Sequence, residues 1–166
     1  MIYIGIDNGV SGTIGIIADG KASQNKTPVK KCLNYTKAKQ WVNRLDSPLF
    51  ARIIEMLIED HGLEKIHCYM ERPMLNPMRW KSSVSAIRCF EATIILLEYF
   101  QIGYEVIDSK EWQKELLPSG LEKGELKKAS KLVAKRLFPY IDFSKMPDGD
   151  GILISEYCRR RHTSGQ

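Results

Sequence analysis

The chain is poor in the residues that staple small proteins. Its four cysteines, Cys32, Cys68, Cys89 and Cys158, are scattered, none forms a C-x-x-C pair, and the three histidines complete no zinc spacing with them. A zinc or disulfide framework is thereby excluded, and the thiols read as reduced, mostly buried groups in a cytosol-like compartment. Long apolar runs are missing too. The longest, Ile94–Leu97 and the broken run Ile2–Ile6, fall far short of the roughly 20 residues that span a bilayer. Met1–Asp7 carries no basic n-region and no small-residue cleavage site, so no signal peptide is read and a cytoplasmic location without a membrane partner is expected. Repeats, linkers and low-complexity segments are absent, which leaves one domain over residues 1–166. No acidic residue occurs between Lys21 and Arg44.

What is present describes a globular chain. The 19.0 kDa sequence is 43% hydrophobic and 27% charged, which excludes disorder and collagen-like structure. Lys plus Arg number 25 against 20 Asp plus Glu, a net charge of +5. The basic residues cluster, at Lys123, Lys127, Lys128, Lys131, Lys135 and Arg136, then at Arg159, Arg160 and Arg161. Clustered cations suit a polyanion, most commonly nucleic acid; solvated helix faces are the plain alternative.

The opening reads as a three-strand meander. Ile2, Ile4 and Ile6 alternate with Tyr3, Gly5 and Asp7, a second run covers Thr13–Ile17, Asp19-Gly20 signals a hairpin, and a third strand is expected over Lys21–Val29. A helix over Pro48–Asp60 ends at His61-Gly62, and Lys65–Met70 is a short strand that delivers Glu71. Arg72–Lys81 is a loop. Ser82 or Ser83 then caps a helix to about Phe100, with Val84, Ile87, Phe90, Ile94 and Leu97 on one face. A strand at Tyr104–Ile107 and helices over Ser109–Leu117, Glu125–Phe138 and Asp148–Arg161 complete an α/β layer architecture with a mixed sheet. Trp41 and Trp112 read as core.

Four acids stand at the ends of elements. Asp7 closes an apolar strand, Glu71 closes another, and Asp148 and Asp150 open the last helix. Neighbouring strands lie about 5 Å apart, so acids at the ends of adjacent central strands come close together. Such a cluster repels itself unless cations sit within it, and an all-oxygen ligand set suits Mg²⁺. Two ions ~3.5–4 Å apart would activate a water and stabilise the leaving oxygen of a phosphodiester. Taken singly, each acid also has a plain role: a turn for Asp7, a strand end for Glu71, a helix cap for Asp148 or Asp150.

The segments IGIDNGVSGTIGII, CYMERP, VIDSKEWQKELL, KKASKLVAKRLFP and DGDGILISEYCRR together resemble the RuvC-type Holliday junction resolvases, most nearly the small phage-encoded members. The resemblance implies an RNase H-like (retroviral integrase) fold, here an α/β mixed five-stranded sheet with helices on both faces. It implies a homodimer that cuts four-way DNA junctions with Mg²⁺, Mn²⁺ being the possible substitute, and needs no nucleotide cofactor. A phage-encoded member would act in the bacterial host's cytoplasm. By the same resemblance, Asp7 matches the first-strand aspartate, Glu71 the glutamate ending the fourth strand, and Asp150 the aspartate of the last helix. Cellular members place two acids three residues apart in that helix, whereas Asp148 and Asp150 are two apart. On a regular helix this is about 200°, so both face one site only if Asp148 lies before the helix. Asp150 is therefore the preferred ligand.

Lys127, Lys131 and Lys135 fall on one helix face, opposite Leu126, Ala129, Val133 and Leu137. The matching family helix carries basic residues near the scissile phosphate, which makes Lys127 or Lys128 the candidate for that role. Met74 and Leu75, beside Arg79 and Lys81, suit a wedge that unstacks bases at the junction centre; packing onto the following helix is the alternative. By the same resemblance the helix after that loop would be the dimer contact, and its Ile87, Phe90, Ile94 and Leu97 suit that or an intramolecular core equally. Two other classes remain. A non-catalytic junction-binding protein is one, with nucleases of other branched DNA or of RNA as the variant within the enzyme class. An actin-like ATPase also opens with a strand, an Asp and a Gly-Thr hairpin, but needs two such domains and a longer chain.

Overall fold

The computed structural model describes residues 1–35, 37, 39–122 and 124–163. Lys123, one of the clustered basic residues, lies outside them. Strands β1 (Ile2–Ile6), β2 (Thr13–Ala18) and β3 (Lys21–Lys26) form the expected antiparallel meander. Asp19 and Gly20 join β2 to β3 with φ of 49° and 78°, the doubly positive backbone of a type I′ hairpin turn. The third strand does not continue to Val29 as expected. Lys26 pairs with Thr13, the first residue of β2, so beyond it β3 has no partner left, and Pro28 has no amide hydrogen to offer. Instead β4 (Val29–Leu33) and β5 (Trp41–Leu45) make a separate antiparallel ribbon that the sequence reading did not foresee.

Helix α1 (Ser47–His61) follows and ends at Gly62, whose φ is +86°. Strand β6 (Ile66–Glu71) then pairs in parallel with β1, and β7 (Tyr104–Ile107) in parallel with β6. The five-stranded sheet runs β3-β2-β1-β6-β7. Between β6 and β7 lie a 3₁₀ turn at Pro77–Arg79 and helix α2 (Trp80–Tyr99). Helices α3 (Ser109–Leu116), α4 (Leu126–Leu137) and α5 (Asp150–Thr163) complete the chain.

The period-two pattern of the strands divides the core. Ile2, Ile4 and Ile6 of β1, Ile14 of β2, and Cys68 and Met70 of β6 pack with Phe50 and Ile54 of α1 and Cys89 and Leu97 of α2. Tyr3, Ile17, Tyr69 and Ile107 pack on the other face with Trp112 of α3, Val133 and Ala134 of α4, and Ile152–Ile154, Tyr157 and Cys158 of α5. The mixed sheet with helices on both faces is the expected fold class.

Three expectations need correction. Helix α2 starts at Trp80 rather than at a serine cap, because the Ser83 hydroxyl is engaged elsewhere: it accepts from the Asn76 amide (2.9 Å) and donates to the Asn76 carbonyl (3.0 Å). Its buried stripe is Ser83, Cys89, Thr93 and Leu97, so Ile87, Phe90 and Ile94 are only half-buried. Trp41 is not core. It opens β5 in a ribbon without a third strand and is 66% exposed.

Candidate active site

The site is built by alternation and by two glycines. Asp7 continues the set Tyr3, Gly5 of β1, and Glu71 the set His67, Tyr69 of β6, so both acids belong to the sheet face covered by α5. In the parallel register Ile6 sits beside Met70, which brings Asp7 and Glu71 out of neighbouring strands at the same level. Gly5 and Gly15 are cross-strand partners directly beneath α5. A Cβ on Gly5 would fall 2.1 Å from the Ser155 amide nitrogen, and one on Gly15 would fall 2.3 Å from Ile152 Cα. Only bare backbone lets α5 lie this close, and Ser155 Oγ secures it by donating to the Tyr3 carbonyl at 2.6 Å.

That contact carries the start of α5 to the carboxyl end of β1. Asp148 lies two residues before the helix and is fully buried. The 200° conflict therefore disappears: Asp148 is outside the helix, Asp150 is its first residue, and oxygens of Asp7, Asp148 and Asp150 lie within 4.8 Å of one another. Asp148 Oδ2 accepts from Lys127 Nζ (2.8 Å), and Oδ1 accepts from Thr13 Oγ1 (3.4 Å) and from the Asp150 amide (3.3 Å). Thr13 Oγ1 in turn accepts from the Gly151 amide (3.0 Å). Buried Gln24 of β3 donates to the Asp148 carbonyl (2.8 Å) and accepts from the Ile152 amide (2.9 Å). Glu71 stands beside this group, and Trp112 Nε1 donates to its Oε2 at 2.9 Å.

The electrostatics are those of crowded, partly dehydrated acids. Burial, then the charges of Asp150, Glu71 and Asp148, hold Asp7 well above the ordinary carboxyl range, against the opposing pull of Lys127. Burial and Asp148 push Asp150 up to about 7, while the Ser130 hydroxyl and Lys127 pull the other way. Glu71 is also raised, mainly by burial, with the Trp112 hydrogen bond opposing it. For Lys127, burial acts downward, but the hydrogen bond and charge of Asp148 outweigh it and raise the ammonium. A set of hard oxygen donors that resists carrying its own negative charge fits a divalent cation, which would supply the missing positive charge.

The ammonium that reaches these acids is that of Lys127; Lys128, the other candidate, is exposed. Lys131 Nζ donates to the Met146 carbonyl at 2.8 Å, on the same approach to α5, and Lys135 is exposed further along α4. In the loop after β6, Met74 is 71% and Leu75 57% exposed, with Arg79 and Lys81 also exposed, so neither apolar side chain is absorbed into the core. Sequence reasoning missed Thr13, Gln24 and the second role of Trp112. The alternation of Ala22 and Gln24 in β3 is the one signal that placed Gln24 inward; a core tryptophan carries no mark of its indole donor.

Nearly the full length of the chain superposes on RuvC of Thermus thermophilus. The structure of T. thermophilus RuvC in complex with Holliday junction substrate matches with a TM-score of 0.61 and 10% identity, covering 99% of this chain and 96% of that one. A further Thermus thermophilus RuvC structure matches with a TM-score of 0.58 and 14% identity, covering 99% and 97%. The fold is therefore that of the RuvC resolvases, as the motifs implied. The chain belongs to the family described as "Lactococcus phage M3 protein", whose model matches residues 7–151. No curated protein matches the sequence significantly. Among the described residues, no helix is long and apolar enough to cross a membrane.

Proposed function

We propose that the chain, as one nuclease domain over residues 1–166, is a divalent-metal-dependent endonuclease that resolves four-way DNA junctions by paired nicks. The observation that carries this reading is the meeting of Asp7, Asp148 and Asp150, with Glu71 beside them, at one end of a RuvC-type sheet. These four carboxylates would hold Mg²⁺ or Mn²⁺. Bound there, the ions supply Lewis acidity to a water and to the leaving oxygen of the phosphodiester.

The chain's own groups do the rest. Thr13 and Gln24 fix the backbone around Asp148, and Trp112 orients Glu71. Lys127, now paired with Asp148, is the cation placed to meet the scissile phosphate once the carboxylates are otherwise neutralised. Lys131, Lys135, Arg79 and Lys81 neutralise flanking phosphates, and Met74 and Leu75 unstack bases at the junction centre. A homodimer would present two such sites, one for each nick.

Incubation of a labelled four-way junction, the matching linear duplex and a replication fork, with Mg²⁺ or with EDTA, tests this. Paired symmetric nicks confined to the junction and lost in EDTA are expected. Equal cutting of every branched substrate would make it a general branched-DNA nuclease. Tight binding without cutting would make it a junction-binding protein.

A further inference from the structure

Beyond β3, whose Gln24 holds the Asp148 carbonyl, the acid-free segment from Lys21 to Arg44 has no part in the carboxylate site and runs into the β4–β5 ribbon. The root of this ribbon is fixed at the carboxylate end of the sheet. The Thr27 amide donates to the Gly12 carbonyl at 3.0 Å, and Gly12 lies against Asp7, since a Cβ there would stand 3.1 Å from Asp7 Oδ2. The Asp46 amide closes the base on the Pro28 carbonyl at 2.9 Å, and Leu45 is buried among core residues that include Ile6 and Phe50. From this anchored base, strands of five residues each project for about 17 Å. At the far end the Asn34 and Gln40 backbones bond, and Asn34 Oδ1 accepts from the Gln40 amide at 3.1 Å, so the two strands are tied together where they end.

The ribbon is cationic on both faces. Cross-strand pairing puts Lys31 on one face with Asn43, Leu33 and Trp41, and Lys30 opposite Arg44 on the other. Lys37 and Lys39 stand at the tip, and the Arg44 guanidinium lies 5.0 Å from the centre of the exposed Tyr35 ring. Among the described residues, none of Lys26, Lys30, Lys31, Lys37, Lys39 and Arg44 is in an ion pair. An arm that docked flat on an anionic surface would need cations on one face only. Cations on both faces suit a cleft walled by phosphates on two sides. The B-DNA major groove, about 12 Å wide, is such a cleft and admits a two-stranded β-ribbon.

We propose that the β4–β5 ribbon is a second DNA-binding arm, which enters the major groove of a duplex arm beside the carboxylate site and contacts the phosphates of both its walls through Lys30, Lys31, Lys39 and Arg44. The proposal rests on the nuclease reading for its substrate, but it assigns a surface that the catalytic end does not include.

Binding of a fluorescein-labelled linear duplex, measured in EDTA across a salt series, tests it without requiring cleavage. The variant K30Q/K31Q removes one cation from each face. The control K21Q/K65Q removes two from the opposite end of the sheet. With K30Q/K31Q, affinity should fall roughly tenfold and the slope of log affinity against log salt should shrink by about two, while the control stays near wild type. Circular dichroism and thermal melting check that both variants fold. Acetylation of the wild-type protein gives an independent readout: duplex should shield Lys30, Lys31 and Lys39, and leave Lys21 and Lys65 reactive. Unchanged affinity and slope for K30Q/K31Q, equal losses in both variants, or no shielding of the ribbon lysines would overturn the proposal. Wild-type protein that binds DNA through the ribbon but cuts nothing in Mg²⁺ would sink the nuclease reading and leave this one standing.

Discussion

Replacing Asp150 by Asn should make the metal-free protein more stable, although it removes a side chain from the proposed catalytic centre. Asp150 is pushed from the ordinary 3.8 to about 7 by burial and by the charge of Asp148. Each unit of such a shift corresponds to ~1.4 kcal/mol between protonation states, so ionising Asp150 costs the folded protein up to ~4 kcal/mol. The direction follows from linkage. A carboxyl whose folded pKa is raised binds its proton more tightly in the folded state, so its contribution to stability is complete below pH ~4 and is lost as pH rises through about 7. Asn removes the charge at every pH. With half of the cost recovered, about 2 kcal/mol, the melting temperature of a chain this size should rise by roughly 4–8 °C at pH 8. At pH 5 the folded group is protonated but the unfolded one, at its ordinary 3.8, is already mostly ionised, so more than a third of the cost is present and the gain should shrink to less than half of its value at pH 8. Thermal melts in EDTA at the two pH values measure both. A lower or unchanged melting temperature for D150N at pH 8, or the same gain at pH 5, would refute the picture of a strained, self-repelling cluster. Added Mg²⁺ should reverse the order by stabilising wild type more than the variant.

Two more perturbations probe how the site is assembled. Gly5→Ala drives a methyl group into the Ser155 backbone at 2.1 Å, where no flexible side chain can yield. It should cost at least ~3 kcal/mol, read as a fall in urea midpoint, and should weaken Mn²⁺ binding because α5 moves away from Asp7. Trp112→Phe keeps the packing but deletes the donor to Glu71. That hydrogen bond opposes the upward shift of Glu71, so its loss should raise the Glu71 pKa further. The acid limb of the cleavage rate should then move to higher pH, with little change in junction affinity.

Much of this arrangement is legible in the sequence because it depends on period and on spacing. The alternation of Ile2, Ile4 and Ile6 with Tyr3, Gly5 and Asp7 sets both the core and the face on which Asp7 emerges, and Asp19-Gly20 specifies its turn by backbone conformation alone. The order of strand-end Asp7, strand-end Glu71 and a helix-start acid survives because each is tied to the end of an element. What the sequence hides are contacts between distant segments. Gln24 and Thr13 meet the start of α5 more than a hundred residues away, with separations of 128 and 138 residues for the Ile152 and Gly151 amides. Lys127 and Lys128 are adjacent in sequence, and only the rotation of α4 on α5 decides which reaches Asp148. The β4–β5 ribbon was missed for another reason. Its lysines stand among Val29, Cys32 and Leu33 with no clean apolar alternation, and the face that is half-buried carries Cys32, Val42 and Arg44, so it lacks the apolar period-two pattern by which strands are recognised.

The most direct test of the proposed chemistry is junction cleavage by Asp7→Asn beside the wild type, with junction affinity measured on both proteins. Asp7 sits at the centre of the carboxylate cluster and carries no cation of its own, so the substitution removes a metal ligand and leaves the lysines and arginines that meet phosphate in place. Wild type should nick the junction in Mg²⁺, and the variant should bind it with equal or greater affinity and leave it intact. Cleavage that persists in Asp7→Asn would place the chemistry elsewhere and contradict the assignment of Asp7, Glu71, Asp148 and Asp150 as its centre.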